Sequence, residues 1–332
     1  MTRALRLASR TSALALAQAS GVAEAITAAT DIPVTVVPVH ADGDLLSASP
    51  GALGDTGVFV ERLRMALLAG QADLVLHSAA DVPLDVLDGV VTAAVLERGD
   101  VREAFVAREG QRLRTLPKGA RVGISWPRQA RALRRLRRDL DIVEVRGHVD
   151  DRLAEVEQGR IDGLVLPSSA MDALAQSDLI VERFAPTRVA PALGAGLWVL
   201  EARADQLDDP AIAAAVGTLH HVASGLQLLA EQIAGHTLHA TPADGLGAWS
   251  VFEDDGITVH LHVDLDAGHA HVEHHEAWRA RDTEQTRRNA AIAAGRGAAK
   301  ALRSEGAWQA RAGQDRAGEV RTAEARPAEA FS

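Results

Sequence analysis

The stretch LVLHSAADVP, residues 74–83, decides how the first half of this chain folds. Its apolar run, Leu74 to Leu76, has the length and composition of a buried strand. The run stops at a His-Ser pair, and one carboxylate, Asp81, follows before the chain continues into a proline. Ligands of open α/β sheets bind beyond the carboxyl ends of the strands. We therefore expect this segment to place Asp81 at the mouth of a cleft.

Helical and extended segments alternate on both sides of this strand. In the first unit we predict a strand at 5–8, a helix at 12–30 that Ser12 caps, a strand at 33–39, a helix at 58–69 and a strand at 72–76. A second unit, 101–188, has predicted strands at 121–124, 142–145 and 163–166 and helices at 128–138 and 150–158. This order favours two α/β layers with parallel strands. The segment ALGAGLWVLEAR, 192–203, is a further strand that can return to the first sheet.

The rest of the chain has a different pattern. We predict a helix at 210–234, a hairpin formed by 257–263 and 269–275, and a helix at 283–303. The predicted fold class is α/β, with two lobes that face each other across a ligand cleft and a small α+β C-terminal domain. The predicted bounds are 1–98 with 192–208 for lobe one, 99–191 for lobe two, 209–305 for the C-terminal domain and 306–332 for a disordered tail.

The composition excludes several classes of protein and site. Hydrophobic residues make up 47% and charged residues 24% of the 332 residues, as in an ordinary globular protein. The net charge of -10 argues against a nucleic-acid partner, and no apolar run reaches the ~20 residues of a membrane span. The N-terminus lacks the apolar core of a signal peptide, so we expect a cytoplasmic protein. We also expect a monomer. Cysteine is absent, which excludes disulfides and thiolate metal ligands within these residues.

The candidate site residues follow the ends of predicted strands. They are Arg10 and Ser12 in ASRTS, Ser78 and Asp81 in HSAADVP, Ser125 and Arg128 in GISWPR, and Arg146 and Arg152 in VRGHVDDR. Guanidinium groups, hydroxyls and helix N-termini suit carboxylates, so we expect a small carboxylated substrate. Asp81 stands among cations that favour its ionised form, which suits it to stabilise a developing positive charge. Singly, such residues are most often turn residues or weak surface ion pairs, but matching positions in two lobes favour a shared site.

The same segments resemble the porphobilinogen deaminase family, also called hydroxymethylbilane synthases. SRTSALALAQA, residues 9–19, matches the family opening TRxSxLAxxQA, and residues 43–83 match a long motif that ends in DxxVHSxKDVP. VRGHVDDRL matches LRGNVxTRL, GISWPR partly matches GTSSxRR, and LGAGLWVLEAR is similar to xGQGxxxxExR. The resemblance covers about residues 5–205 and is fainter in LGAWSVFEDDGITVHLHV of the C-terminal domain.

The resemblance implies two lobes like those of periplasmic binding proteins, a small third domain and a pyrrole-condensing activity. In this chemistry, porphobilinogen loses ammonia from its aminomethyl arm and leaves a cation that is spread over the pyrrole ring. The free α-carbon of another pyrrole then attacks this cation. By resemblance, Asp81 is the carboxylate that stabilises it. The resemblance assigns substrate binding to the other candidates, Arg10, Ser12, Ser78, Ser125, Arg128, Arg146 and Arg152.

Several residues depart from the family pattern. Ala80 replaces the lysine before the catalytic Asp, Ala52 and Thr56 replace two further lysines, Gln129 replaces the second arginine of RR, and Trp126 and Pro127 replace a serine and a leucine. The cysteine that holds the dipyrromethane primer through a thioether is missing, and Pro242 is nearest to its place. Because each ring of a growing polypyrrole carries two carboxylates, four lost cations leave too little positive charge for a long chain.

These departures predict a diverged enzyme that acts on a pyrrole-type aminomethyl substrate in specialised metabolism, with no dipyrromethane cofactor. Two alternatives stay open. One is a non-catalytic protein that binds a small anion or a pyrrole in the same cleft, and the other is a conventional hydroxymethylbilane synthase with unusual priming. The retained Asp81 favours an enzyme over a binding protein, and the missing cysteine disfavours the conventional synthase.

Two His-rich strands and one Arg-rich helix have simpler interpretations. Alternate histidines in HLH, 260–262, and HAH, 269–271, share one face of the predicted hairpin and could bind zinc or nickel. No carboxylate or cysteine completes such a set, so we predict no metal and a solvated polar face. The arginines at 131, 134, 135 and 138 likewise predict a solvated helix face rather than a nucleic-acid site.

Overall fold

The chain forms three β-sheets with helices packed on them. A computed structural model describes residues 3–40, 60–84, 87–241, 244–265, 268–306 and 308. Within these residues, two five-stranded sheets and one three-stranded sheet confirm the predicted fold class of two α/β lobes and an α+β C-terminal domain. Almost all of the predicted disordered tail, 306–332, lies outside the described residues.

Lobe one is built on a sheet in which one inner strand comes from a distant part of the chain. Its strands are β1 (Leu5–Arg10), β2 (Val34–Val39), β3 (Leu74–Ser78), β4 (Val90–Val95) and β10 (Trp198–Arg203), in the order β2-β1-β3-β10-β4. Its helices are α1 (Ala13–Thr30) and α2 (Glu61–Leu68). The predicted return of 192–203 is confirmed, but β10 runs antiparallel to β3 and β4, so the sheet is mixed rather than parallel. Antiparallel neighbours set no requirement on the length of the connection, so β10 can return from lobe two between β3 and β4.

The sequence around β3 explains why the chain turns at Asp81. Leu74, Val75 and Leu76 are at most 1% exposed, as their continuous apolar run predicts. The strand ends in a short 3-10 turn, Ala79–Asp81, which directs the carboxylate out of the sheet. After the neighbouring strand β1, the Ser12 hydroxyl accepts a hydrogen bond from the Ala15 N–H at 3.2 Å, so the predicted cap of α1 is confirmed.

Lobe two repeats this architecture with a second mixed sheet. Its strands are β5 (Glu103–Ala107), β6 (Arg121–Ile124), β7 (Asp141–Glu144), β8 (Gly163–Pro167) and β9 (Ile180–Arg183), in the order β7-β6-β8-β5-β9. Its helices are α3 (Pro127–Leu136), α4 (Val149–Glu157) and α5 (Ser168–Ala173). The rings of Phe105 and Phe184, both fully buried, lie 6.0 Å apart in its core. A Cβ at Gly163 would lie 2.4 Å from the Phe105 ring, so only glycine fits at that position of β8.

Two segments cross between the lobes and touch each other. They connect β4 to β5 and β9 to β10. The N–H of Gly99 in the first segment donates to the carbonyl of Gly196 in the second at 2.8 Å. Gly196 has φ +75°, and a Cβ there would lie 2.7 Å from the Gly99 oxygen. The close approach of the two crossing segments therefore requires glycine at this position.

A buried ion pair fixes these crossing segments to the C-terminal domain. Arg98 donates to both oxygens of Glu231, at 2.5 Å and 3.2 Å, and to the carbonyl of Ala195 at 3.0 Å. Glu231 is fully buried and also accepts from the Gly194 N–H at 2.8 Å and the Ser250 hydroxyl at 2.7 Å. Because every oxygen of this carboxylate has a donor, the charge is tolerated without water.

The C-terminal domain packs helices on one face of an antiparallel sheet. It contains α7 (Val222–Leu238), β11 (Leu246–Glu253), β12 (Gly256–Leu265), β13 (Gly268–Ala277) and α8 (Glu284–Ser304). The helix before them, α6 (Pro210–Leu219), packs instead on the core of lobe one. Residues 210–234 are helical as predicted, but the helix is broken after α6, and α7 leaves at 87°. No single described helix is long and apolar enough to cross a membrane, although α6 and α7 pass that criterion as a bent pair.

The His-bearing face of this sheet is covered, so the predicted solvated face is wrong. His262 is 1% exposed, and the rings of Trp249 and His260 stack with their centroids 4.7 Å apart. The cover comes from lobe two, where Arg135 on α3 forms an ion pair with the buried Asp264 of β12. For the helix the prediction holds in part, since Arg134 and Arg138 are exposed, whereas Arg135 is partly buried against the sheet. Among the described residues, no group of three or more His, Cys, Asp or Glu is placed to hold a metal ion.

We expect the Arg98–Glu231 pair to be essential for stability. Arg98→Met leaves the Glu231 carboxylate buried without its cation, so the free energy of unfolding should fall by about 3–5 kcal/mol. Adding Glu231→Gln should recover part of this loss, because the amide is neutral, its oxygen can accept from the Gly194 N–H and its NH2 group can donate to the Ser250 hydroxyl. Arg160→Met, which breaks an exposed pair with Glu155, should cost less than about 1 kcal/mol. Urea unfolding of the four proteins checks this, and a double variant no more stable than Arg98→Met would contradict it.

We also expect acid to destabilise the His-bearing face. Burial lowers the pKa of His260 and of His271, despite the nearby Glu273 carboxylate, which raises both. The unfolded chain then binds more protons than the folded chain, so this stability is present above about pH 6.5, the ordinary pKa of histidine, and is lost as the pH falls. Unfolding free energies measured between pH 7.5 and 5 should fall less steeply for His260→Gln/His271→Gln than for the unaltered protein. Parallel slopes would contradict the assignment.

Candidate active site between the lobes

The predicted catalytic carboxylate lies beside an arginine of the same lobe. The Nη1 of Arg10, at the end of β1, is 3.6 Å from an Oδ of Asp81, at the end of β3. Both side chains are 21% exposed, so they are accessible to a ligand and partly shielded from water. Adjacent parallel strands bring these two residues together, because their carboxyl ends meet at one edge of the sheet. The pair can hold a carboxylate and stabilise a nearby cation at the same place.

Lobe two brings a second arginine toward this pair. Arg152 of α4 donates from Nη1 to the Ser125 hydroxyl at 2.8 Å, and Ser125 donates to the Val145 carbonyl at 3.2 Å. Burial lowers the pKa of Arg152 to about 10. Among the nearby charges, Asp81 raises this pKa and Arg10 lowers it. These opposite influences put the charges of lobe one within electrostatic range of Arg152, which stays protonated at pH 7. Four of the predicted site residues therefore converge from two lobes.

The other predicted residues have different surroundings. Ser12 is 7% exposed and caps α1, and Ser78 lies half-buried opposite Trp198 in the lobe-one sheet. Arg146 donates from Nε to Glu144, while its Nη2 is buried and makes no hydrogen bond within the described part of the chain. Arg128 is 5% exposed and is held by the Glu103 carboxylate and a backbone carbonyl. Substrate binding by these four residues stays a prediction.

Two buried carboxylates near the site were missed by the sequence analysis. Glu201 of β10 is 1% exposed, accepts from Arg64 at 2.9 Å and 2.5 Å, and lies 3.2 Å from Nε2 of His77. Burial alone would raise the pKa of Glu201, but the donors from Arg64 and His77 lower it to about 2. The second is Glu103 of β5, which pairs with Arg128 at 2.5 Å. Each carboxylate is more than 20 residues from its partners in sequence, so no local pattern predicts the ion pair.

Comparison with known proteins accounts for this arrangement. The family model described as "Porphobilinogen deaminase, dipyromethane cofactor binding domain" matches residues 5–210. This chain belongs to the porphobilinogen deaminase family. The porphobilinogen deaminase of Leifsonia xyli subsp. xyli (strain CTCB07) is 38% identical over 252 residues, which cover 76% of this chain and 77% of that protein. The enzyme of Thermobifida fusca (strain YX) is 37% identical over 251 residues, covering 76% and 78%.

These relatives indicate an enzyme of the hydroxymethylbilane synthase type with porphobilinogen deaminase activity. Among solved structures, the methionine binding protein MetQ matches with a TM-score of 0.42 and 12% identity over 64% of this chain and 89% of that chain.

The expectation that the protein has no cofactor is corrected by the family match. The matched model is a dipyrromethane-binding domain, which points to that cofactor. The cationic groups fit its carboxylate arms, since the charge of Arg152 lies near Asp81 and Arg10, and the Arg146 Nη2 is buried without a hydrogen-bond partner in the described residues. No residue fits the thioether, because the 332 residues include no cysteine. Pro242, nearest to the family cysteine, and the replaced lysine positions, 52 and 56, lie outside the described residues.

We expect Asp81 to act on the reaction more than on binding. Asp81→Asn keeps the size and polarity of the side chain but removes the charge that stabilises the pyrrole cation. Turnover of porphobilinogen should therefore fall by roughly 10²-fold or more while the substrate still binds. Asp205→Asn, on an exposed carboxylate of lobe one, is the matched control. Ammonia release and equilibrium binding measure the two effects, and unchanged turnover would remove Asp81 from the mechanism.

Proposed function

We propose that this protein deaminates and condenses a pyrrole-type aminomethyl substrate while holding its dipyrromethane without a covalent bond. The observation that carries the proposal is the convergence of Asp81 and Arg10 with Arg152 and Ser125 across the cleft. This set supplies one carboxylate for a developing cation and separate donors for the acidic arms of a pyrrole. A bound dipyrromethane would supply the pyrrole carbon to which the first substrate unit is added.

Each side chain has one part in this chemistry. The ionised Asp81 lies where it can stabilise positive charge on the pyrrole after ammonia leaves, and its partner Arg10 keeps it oriented. Arg152 provides guanidinium donors in lobe two for carboxylate arms, and the Ser125 hydroxyl, which accepts from it, holds it in place. Because the chain has no thiol, it can retain the dipyrromethane only through ion pairs and hydrogen bonds of this kind.

The lost cations favour a short product. Ala80, half-buried in the turn that carries Asp81, has no charge where the family pattern has lysine. Ala52, Thr56 and Gln129 likewise replace cations. Since each added pyrrole brings two carboxylates, chain growth soon exceeds the available positive charge. This balance supports a role in specialised metabolism, with a product shorter than a linear tetrapyrrole.

Mass spectrometry of the purified protein, with and without porphobilinogen, tests the proposal. Under denaturing conditions the mass should equal that of the bare chain, and under native conditions it should include a dipyrromethane. Added porphobilinogen should release ammonia and yield a product of fewer than four rings. Pro242→Cys, which places a thiol nearest to the family position, should keep the dipyrromethane under denaturing conditions.

Three results would contradict parts of the proposal. A pyrrole adduct that survives denaturation of the unaltered protein would show a covalent link through another residue. A free linear tetrapyrrole would show that the lost cations do not limit chain length. Binding of porphobilinogen without ammonia release would favour a binding protein on the same fold.

A further inference from the structure

A buried glutamine connects the core of lobe two to the candidate site. Gln129 on α3 is fully buried. Its Nε2 donates to an oxygen of Glu103 at 3.0 Å, and its Oε1 accepts from the N–H of Ser125 at 2.9 Å and of Trp126 at 3.2 Å. The Glu103 carboxylate, which is paired with Arg128, can only accept hydrogen bonds, and the two backbone N–H groups can only donate them. The orientation of the Gln129 amide is therefore fixed on both sides.

The turn that Gln129 holds carries the hydroxyl that contacts Arg152. Ser125 directly follows β6, and its N–H is bound by the Gln129 oxygen. Its hydroxyl accepts from Arg152 and donates to Val145, so the position of the Ser125 backbone sets where the guanidinium can lie. The contacts form one sequence of hydrogen bonds from Glu103 through Gln129 and Ser125 to Arg152.

We propose that Gln129 is a positioning residue, which fixes the turn at Ser125 and thereby orients Arg152 toward a carboxylate of the substrate. The identity of that substrate rests on the proposed function, but the orientation of Arg152 does not. Only a side chain that both donates and accepts meets the two requirements at this buried place. An arginine there could donate to Glu103, but it has no acceptor for the two N–H groups.

The chemistry of glutamate at this position gives a pH-dependent test. A protonated Glu at 129 can donate to Glu103 and accept from both N–H groups, as the amide does. Once ionised, it would put two carboxylates about 3 Å apart in the core. The exchanged pair Glu103→Gln/Gln129→Glu keeps one amide, one carboxylate and the same net charge, so it should restore the hydrogen bonds without a pH requirement.

The experiment measures binding and the state of Arg152 separately. Porphobilinogen affinity is measured by calorimetry in the Asp81→Asn background, which is expected to bind with turnover slowed by roughly 10²-fold or more. The Arg152 side-chain N–H signal is followed by NMR without ligand. Gln129→Met and Gln129→Arg should shift the Arg152 signal and weaken affinity about 10-fold, the factor for one lost charge-assisted hydrogen bond. Gln129→Glu should bind normally near pH 5.5 and progressively more weakly toward pH 8, and the exchanged pair should bind normally throughout.

The outcomes distinguish this inference from the proposed function. An unshifted Arg152 signal and unchanged affinity in a folded Gln129→Met protein would overturn the inference. Should that variant not fold, a Gln129→Glu protein with no pH dependence beyond that of the unaltered protein would overturn it as well. If porphobilinogen does not bind the unaltered protein while the Arg152 signal still follows the substitutions, the positioning role is supported and the proposed substrate is wrong.

Discussion

The buried ion pair between Arg98 and Glu231 holds three parts of the chain in one arrangement. Its arginine lies in the segment that leaves lobe one, its carboxylate lies on a helix of the C-terminal domain, and its second oxygen binds the segment that returns from lobe two. Both crossing segments are thereby fixed where they touch at Gly99 and Gly196. The cleft can then keep a defined width, since both segments that connect the lobes are bound to the Glu231 carboxylate.

The candidate site depends on this arrangement because neither lobe contains it alone. Asp81 and Arg10 come from strand ends in lobe one, and Ser125 and Arg152 come from lobe two. A relative displacement of about 1 Å is enough to lose aligned hydrogen bonds to a substrate, so the stability of the crossing segments bears directly on the chemistry. Family membership alone does not specify which cations remain in the cleft, and here the four lost positive charges set this chain apart from the family pattern.

Local pattern predicted the parts of the structure that local interactions determine. The apolar run before Asp81, the Ser12 cap and the return of 192–203 to lobe one all follow from spacing and residue type. The covered His face could not be predicted, because its cover is Arg135 of another lobe, 129 positions away from Asp264. The link from Glu103 to Gln129 was missed for the same reason, since hydrogen bonds between distant strands and helices leave no periodicity in sequence.

The antiparallel inner strand of lobe one, β10, also constrains how the chain can fold during synthesis. Strand β10 pairs with β3 and β4, so the lobe-one sheet remains split until residues 198–203 have left the ribosome. All strands of lobe two, 103–183, emerge before that point and can form their sheet first. Until β10 arrives, β3 exposes an unpaired edge of apolar residues, a template for aggregation. Once β10 has been synthesised, it completes the sheet and covers the edge through which the nascent chain could aggregate.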